Sequence, residues 1–160
     1  MADVVCAQAA VPVPIVTQIA ELTHPIEQFM YSLPDGLLMM TFPRAGPVCA
    51  AQILAKLGGV RERFPNADLL AVNAGAVPAT YQSGKTRSVA FRWACNDRLR
   101  QAITCLAGNS RHANEWAKSI YQAARGRNCD HTSAMRILAR ALGARHLARM
   151  DRPQILRPKN

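Results

Sequence analysis

The sequence predicts a mainly α fold: a helical domain with a helix-hairpin-helix-like segment and one short extended loop or strand region around a Ser-Gly pair. Three observations lead there. Apolar residues make up 49% of the 160 residues while aromatics reach only 6%, and much of the apolar fraction is alanine, which suits close helix packing better than a strand-rich sandwich. Asn66, Asn114 and Asp130 stand just ahead of apolar stretches, where a side-chain oxygen caps a helix N-terminus. Prolines and glycines then divide the chain into short segments. A chain of this length is expected to form one domain and to bury roughly 70% of its unfolded surface.

Residues 1–14 are small and apolar, and Val11-Pro-Val-Pro14 predicts an extended lead-in. A short helix is expected over Ile15–Leu22, interrupted by His24-Pro25, then an apolar stretch from Ile26 to Leu33 and a turn at Pro34-Asp35-Gly36. Residues 1–22 therefore read as a lead-in with the remnant of a linker helix, residues 23–150 as the main domain, and residues 151–160 as a disordered tail.

From Leu37 to Gly58 the chain lays out an apolar helix end, a turn containing Pro43, Arg44 and Gly46, and a helix entered at Pro47 and closed by Gly58-Gly59. That is the layout of a helix-hairpin-helix, whose turn offers backbone N–H groups to a DNA phosphate without reading bases. Arg44 stands where the first turn glycine is expected, so either the turn is altered or Arg44 itself reaches phosphate. An ordinary helical hairpin fits the segment as well.

A short helix follows, capped near Asn66 and closed by Gly75, and Ala76–Arg87 reads as a loop rich in hydroxyls and positive charge. Its Gly84-Lys85-Thr86 is not a nucleotide-triphosphate loop, because Ala79 stands five residues before Gly84 where that motif needs glycine. Ser88–Trp93 is a short strand or an extended lead-in. Three helices are expected beyond it: 95–107 ended by Gly108, 114–125 with Trp116, Ile120 and Ala124 on one face, and 131–149.

Charge is distributed unevenly. Residues 1–82 hold 4 Lys+Arg against 6 Asp+Glu, and residues 83–160 hold 16 against 4, so all of the net +10 comes from the second half. Arginine dominates that excess and favours bidentate phosphate contact, which makes nucleic acid the leading partner over a merely solvated basic face. No run of about 18 apolar residues is present, and no basic segment precedes an apolar one at the N-terminus, so no membrane partner is expected and a cytoplasmic protein is. Five scattered cysteines without a Cys-x-x-Cys pair indicate neither a disulfide framework nor a zinc finger, and no metal site is expected.

Several stretches in order, Phe42-Pro-Arg-Ala-Gly-Pro-Val48, Arg63-Phe-Pro-Asn-Ala-Asp-Leu-Leu-Ala71 with Ala74-Gly75, Gln82-Ser-Gly-Lys85 and Phe91-Arg-Trp-Ala-Cys-Asn-Asp-Arg-Leu-Arg100, resemble the C-terminal domain of transposases of the insertion-sequence-one-hundred-ten type, with its one-sixteen and nine-oh-two relatives. Ser110-Arg-His-Ala-Asn-Glu-Trp-Ala117 and Ala139-Arg-Ala141 extend the likeness, which covers roughly residues 20–150. The resemblance implies a recombinase that works with a guide RNA as a homo-oligomer, and that joins an N-terminal RuvC-like domain with four metal-binding acids to a C-terminal domain supplying a nucleophilic serine. The matching serine is Ser83, catalytic by that likeness. Gly84 would let DNA approach, and Lys85 and Arg87 would neutralise charge on the attacked phosphate. Arg44, Gly46, Arg92, Arg98 and Arg100 are the other expected nucleic-acid contacts.

Tyr81 is a second nucleophile by chemistry alone, and without the resemblance Ser83 is a plain turn residue. Asp97, Glu115, Asp130 and Asp151 have no spacing suited to a two-metal cluster, so Mg²⁺ is expected only with a RuvC-like domain supplied in trans. The chain starts where the family's linker helix would end; it reads as a truncated or split transposase that is inactive alone. Two other functions stay open: a non-catalytic DNA- or RNA-binding remnant, and a structural RNA-associated protein needing only the basic half.

Overall fold

A computed structural model of the chain describes residue 8 and residues 10–58 and 63–150. They form helices α1 (Pro12–Ser32), α2 (Pro34–Met40), α3 (Pro47–Leu57) and α4 (Ala67–Asn73), strands β1 (Ala79–Ser83) and β2 (Thr86–Ala90), and helices α5 (Asp97–Ala113), α6 (Glu115–Gly126) and α7 (His131–Met150). The fold is mainly α, with one antiparallel pair of strands at the Ser-Gly motif.

Capping side chains set the helix starts. Asn66 Oδ1 accepts from the Leu69 N–H at 2.9 Å and Asn114 Oδ1 from the Ala117 N–H at 3.2 Å. Asn96, which the sequence reading passed over, does the same for Leu99 at 3.0 Å. Asp130 accepts from the Ser133 N–H at 2.8 Å, and hydrogen bonding from Ser133 holds its carboxyl below the ordinary range. Each cap gives an acceptor to one of the four N–H groups that a helix start leaves without one.

Four expectations are corrected. The prolines at 11–14 do not make an extended lead-in: Pro12 opens α1, because the first turn of a helix has no acceptor for the N–H that proline lacks. His24-Pro25 does not end the helix either, and α1 runs through Pro25 to Ser32, so the division at residue 22 falls inside it. Pro34-Asp35-Gly36 is the first turn of α2 rather than a free turn. Gly108 ends nothing: α5 continues to Ala113, since only Gly58, Gly75 and Gly84 among the described glycines take the left-handed conformation that closes a helix or turn. The expected disordered tail, like Gly59, lies outside the described residues.

Helix α5 is the hub. Its Leu99, Ala102, Ile103, Leu106 and Ala107 are buried against α3, α6 and α7, and α7 also covers α4. Ala50, Ala102, Ala107 and Ala134 are fully buried at these crossings, where a methyl side chain lets helix axes approach closely. The Ser110 hydroxyl, also fully buried, donates to the Pro43 carbonyl at 3.1 Å and ties the end of α5 to the α2–α3 turn. Only the end of α1 joins this core, through Met30; upstream, Ile15, Ile19, Leu22 and Phe29 are all more than half exposed.

Candidate nucleic-acid interface

The stretch read as a loop is a β-hairpin. Ala79 pairs with Ala90, Thr80 with Val89, Tyr81 with Ser88, Gln82 with Arg87 and Ser83 with Thr86, leaving Gly84-Lys85 as a two-residue connection. Gly84 has φ +55° and Lys85 is not in the positive-φ region, the pattern of a type II′ turn, whose twist matches that of the flanking strands. A Cβ on Gly84 would meet nothing within 4 Å, so the backbone beside Ser83 is open to a large ligand.

Alternation along the strands divides the arm into two faces. Tyr81, Ser83, Thr86 and Ser88 share one, while Gln82, Arg87 and Val89 lie on the other. Ser83 and Lys85 are neighbours at the tip, but Arg87 lies on the face opposite Ser83. Every residue from Thr80 to Ala90 is exposed, Tyr81 and Val89 at 61% each. A two-stranded pair of this length is marginal by itself and needs anchoring.

Arg92 and Arg100 provide the anchor. Arg92 Nε donates to the Val77 carbonyl at 3.2 Å and its Nη2 to the Pro78 carbonyl at 3.4 Å, while Arg100 Nη2 donates to the Arg92 carbonyl at 2.7 Å. The Phe91 ring lies under two guanidinium groups, 4.6 Å from that of Arg100 and 4.8 Å from that of Arg136. Gly75, at φ +63°, lies so close that a Cβ there would come within 2.8 Å of Arg100 Nε and 2.9 Å of Cys95 Sγ. These two arginines clamp the root of the hairpin through backbone carbonyls, and Arg100 also pairs with the Asp97 carboxylate at 3.2 Å.

Arg44, Lys85, Arg87 and Arg98 differ from them, being exposed and having no side-chain hydrogen bond or ion pair among the described residues. Arg44 takes φ +56°, the conformation a glycine would adopt in its place. Gly46 caps α3, but its own N–H donates to the Arg44 carbonyl at 3.1 Å and is unavailable to a ligand. The N–H groups left without an intrahelical acceptor at this turn are those of Val48 and Cys49, since Pro47 has none. One exposed residue escaped the sequence reading as a contact: Trp93, 80% exposed at the hairpin root. A tryptophan is usually covered, so only the fold could single out Trp93.

Among the described residues, no three His, Cys, Asp or Glu side chains gather into a metal-binding group. Asp97 and Glu115 lie in the first turns of α5 and α6, and Asp130 caps α7, places where acids favour a helix start. These residues do not fit a Mg²⁺ pair. No helix among the described residues is long and apolar enough to cross a membrane.

The span from α2 through the hairpin to α6 is also the span that matches known proteins: residues 37–122 fit the family described as Transposase IS116/IS110/IS902. The chain belongs to this family. It is 32% identical over 127 residues to a mini-circle protein of Streptomyces coelicolor named as a transposase for IS117, a match taking in 79% of this chain and 31% of that protein. The chain thus spans about a third of the length of that IS117 relative. Within the IS116/IS110/IS902 match lie Ser83 and eight other expected contact residues, Arg44 to Arg100, whereas all of α1 and all of α7 fall outside it.

Proposed function

We propose that this chain is the DNA-gripping, serine-bearing part of an insertion-sequence transposase, and that it cuts and rejoins strands when its hairpin tip meets a RuvC-like domain supplied in trans. The observation that supports this best is the position of Ser83 at the tip of an anchored, exposed arm, flanked by an open glycine backbone and the unpaired Lys85.

In the reaction, Ser83 Oγ attacks a backbone phosphorus and gives its proton to a base. The P–O bond to the departing strand end breaks, and that oxygen takes up a proton. The phosphoseryl link keeps the energy of the broken bond, so a strand hydroxyl can reverse the step and rejoin. Lys85 stabilises charge on the attacked phosphate. Arg87 grips a different phosphate from the other face of the arm, and Arg98 and Arg44, with the Val48 and Cys49 N–H groups, hold the backbone further away. The same contacts accept a guide RNA. No carboxylate or imidazole hydrogen-bonds to Ser83 among the described residues, so the base comes from the RuvC-like domain, along with the acids that would hold Mg²⁺.

The functional protein is a homo-oligomer in this reading. Ile15, Ile19, Leu22, Ile26 and Phe29 on α1 are spaced 4, 3, 4 and 3 residues apart, the seam of a coiled coil, and the exposed Glu21 and the half-buried Glu27 fall outside that seam and its flanks.

A denaturing gel tests the chemistry. With Mg²⁺, DNA and an added family RuvC-like domain, wild type should form a covalent adduct that Ser83→Ala does not. The absence of a base at Ser83 favours a second reading, a non-catalytic binding module; salt-sensitive DNA binding with no adduct in any lane would establish it instead.

A further inference from the structure

A cavity of about 140 Å³ lies between the α2–α3 turn, the end of α5, the first turn of α6 and the last turns of α7. Two arginines one helical turn apart on α7 border it. The Arg145 guanidinium stacks 4.5 Å from the Trp116 ring centroid, and that of Arg149 stacks 4.9 Å from the Phe42 ring while donating to the Thr41 hydroxyl at 3.0 Å. An aromatic face holds a guanidinium by its flat side and leaves the edge N–H groups free to point elsewhere. Among the described residues, no carboxylate pairs with either arginine.

Acceptors in this cavity are already taken. Asn114 Oδ1 accepts the Ala117 N–H, and the Asn114 NH2 group remains to donate. The Pro43 carbonyl accepts from Ser110, and the Thr41 hydroxyl donates to the Leu38 carbonyl at 2.7 Å while accepting from Arg149. A small cleft lined by apolar surface, two preset guanidinium groups and an amide NH2 offers donors and positive charge, while each acceptor named above already receives a hydrogen bond. That chemistry selects an anion with several acceptor oxygens.

We propose that this cavity is a phosphate site, and that it takes a phosphate of the nucleic-acid backbone passing the α2–α3 turn. Its nucleic-acid source rests on the binding function proposed above; its anion chemistry does not. The cavity is remote in sequence from the hairpin, and both arginines lie beyond the family-matched residues, so it is a second grip distinct from the Ser83 tip.

Trp116 makes the site directly readable. The chain has two tryptophans, and Trp93→Phe leaves Trp116 as the sole emitter. In that background, inorganic phosphate should change Trp116 emission at matched ionic strength where chloride does not, and a DNA duplex should produce the same change. Arg149→Gln and Arg145→Gln should each abolish the response and lower DNA affinity roughly tenfold, the equivalent of one charged hydrogen-bond contact. Arg149→Lys should restore less than half of the loss, because an ammonium lacks the planar fork. Thermal melting separates unfolding from lost binding, and Arg145→Gln, at an exposed position, is the variant safest for the fold.

A chain that binds DNA with unchanged Trp116 emission, and with Arg145→Gln and Arg149→Gln binding as wild type, overturns the site while leaving the nucleic-acid function intact. A response to phosphate without any binding of DNA overturns the backbone source and the binding function together. No response to either ligand overturns the site.

Discussion

Arg44 is an arginine in a backbone conformation that suits glycine, with an exposed side chain that holds no partner among the described residues. A non-glycine residue at φ +56° costs about 1–2 kcal/mol in this region, and the residue that would relieve it is the glycine usual at such a turn. Arg44→Gly should therefore leave the melting temperature unchanged or slightly raised while weakening DNA binding, read by melting and by fluorescence anisotropy of labelled DNA; affinity unchanged in the glycine variant would remove Arg44 from the interface. Cys49 carries a second residue-scale prediction. Burial, reinforced by the adjoining Cys105 sulfur, pushes its thiol from 9.0 up to about 11, and its Sγ donates to the Ala102 carbonyl at 3.5 Å. The folded state thus holds this proton more tightly than the unfolded chain, so the contribution is complete below pH 9 and is lost as pH rises toward 11. Denaturant midpoints should fall over that window in wild type and fall less in Cys49→Ala. Iodoacetamide should label exposed Cys105 before Cys49 at pH 8, because the thiolate is the reactive form. At this scale the sequence showed which residues were chemically able and missed which were occupied: Arg92 and Arg100 look like any arginines until folding brings the Val77, Pro78 and Arg92 carbonyls against them.

Elements were legible wherever a local rule decides them. Caps at Asn66, Asn114 and Asp130 and the closures at Gly58 and Gly75 were readable because each acts within a few residues. The misread places, Pro12, Pro25, Pro34 and Gly108, are residues taken as breakers in positions where a helix tolerates them, and the neighbouring turns, not the residue alone, determine that. The hairpin was hidden because its strands carry no buried face, so the alternation that marks a half-buried strand is missing. Its stability should depend on the root. Gly75→Ala adds a Cβ against the Arg100 guanidinium at a positive-φ position and should cost about 1–3 kcal/mol, by strain and by displacing the clamp. Hydrogen exchange should then accelerate at the amides of β1 and β2 more than in α5; uniform acceleration would mean that the clamp does not govern the arm. Helix α1 offers the complementary test. If the Ile15–Phe29 seam joins two copies, Leu22→Lys should convert a concentration-dependent dimer into a monomer in sedimentation without lowering the helical content of the rest. A chain that is monomeric to begin with would assign the seam to another segment of a longer protein.

For the whole molecule the question is how far net charge translates into binding. Charge alone suggested that any of the second-half arginines could meet phosphate, and the fold reduces that set by giving guanidinium groups partners within the chain. Arg92 and Arg100 hold carbonyls, Arg140 pairs with Asp68 at 2.7 Å, and Arg125 donates to the Cys129 carbonyl at 2.8 Å. Counterion release counts only phosphates that are contacted, so the salt dependence of binding measures the free set rather than the net charge. Lys85→Ala, Arg87→Ala and Arg98→Ala should each lower the slope of log affinity against log salt by about 0.9 for duplex DNA. Arg140→Ala removes the same formal charge but breaks an internal ion pair, and should leave that slope unchanged while altering stability by less than about 1 kcal/mol, the usual worth of an exposed pair. Equal slope changes from all four substitutions would mean that a diffuse positive field, and not the contacts presented by the hairpin and the start of α5, holds the nucleic acid.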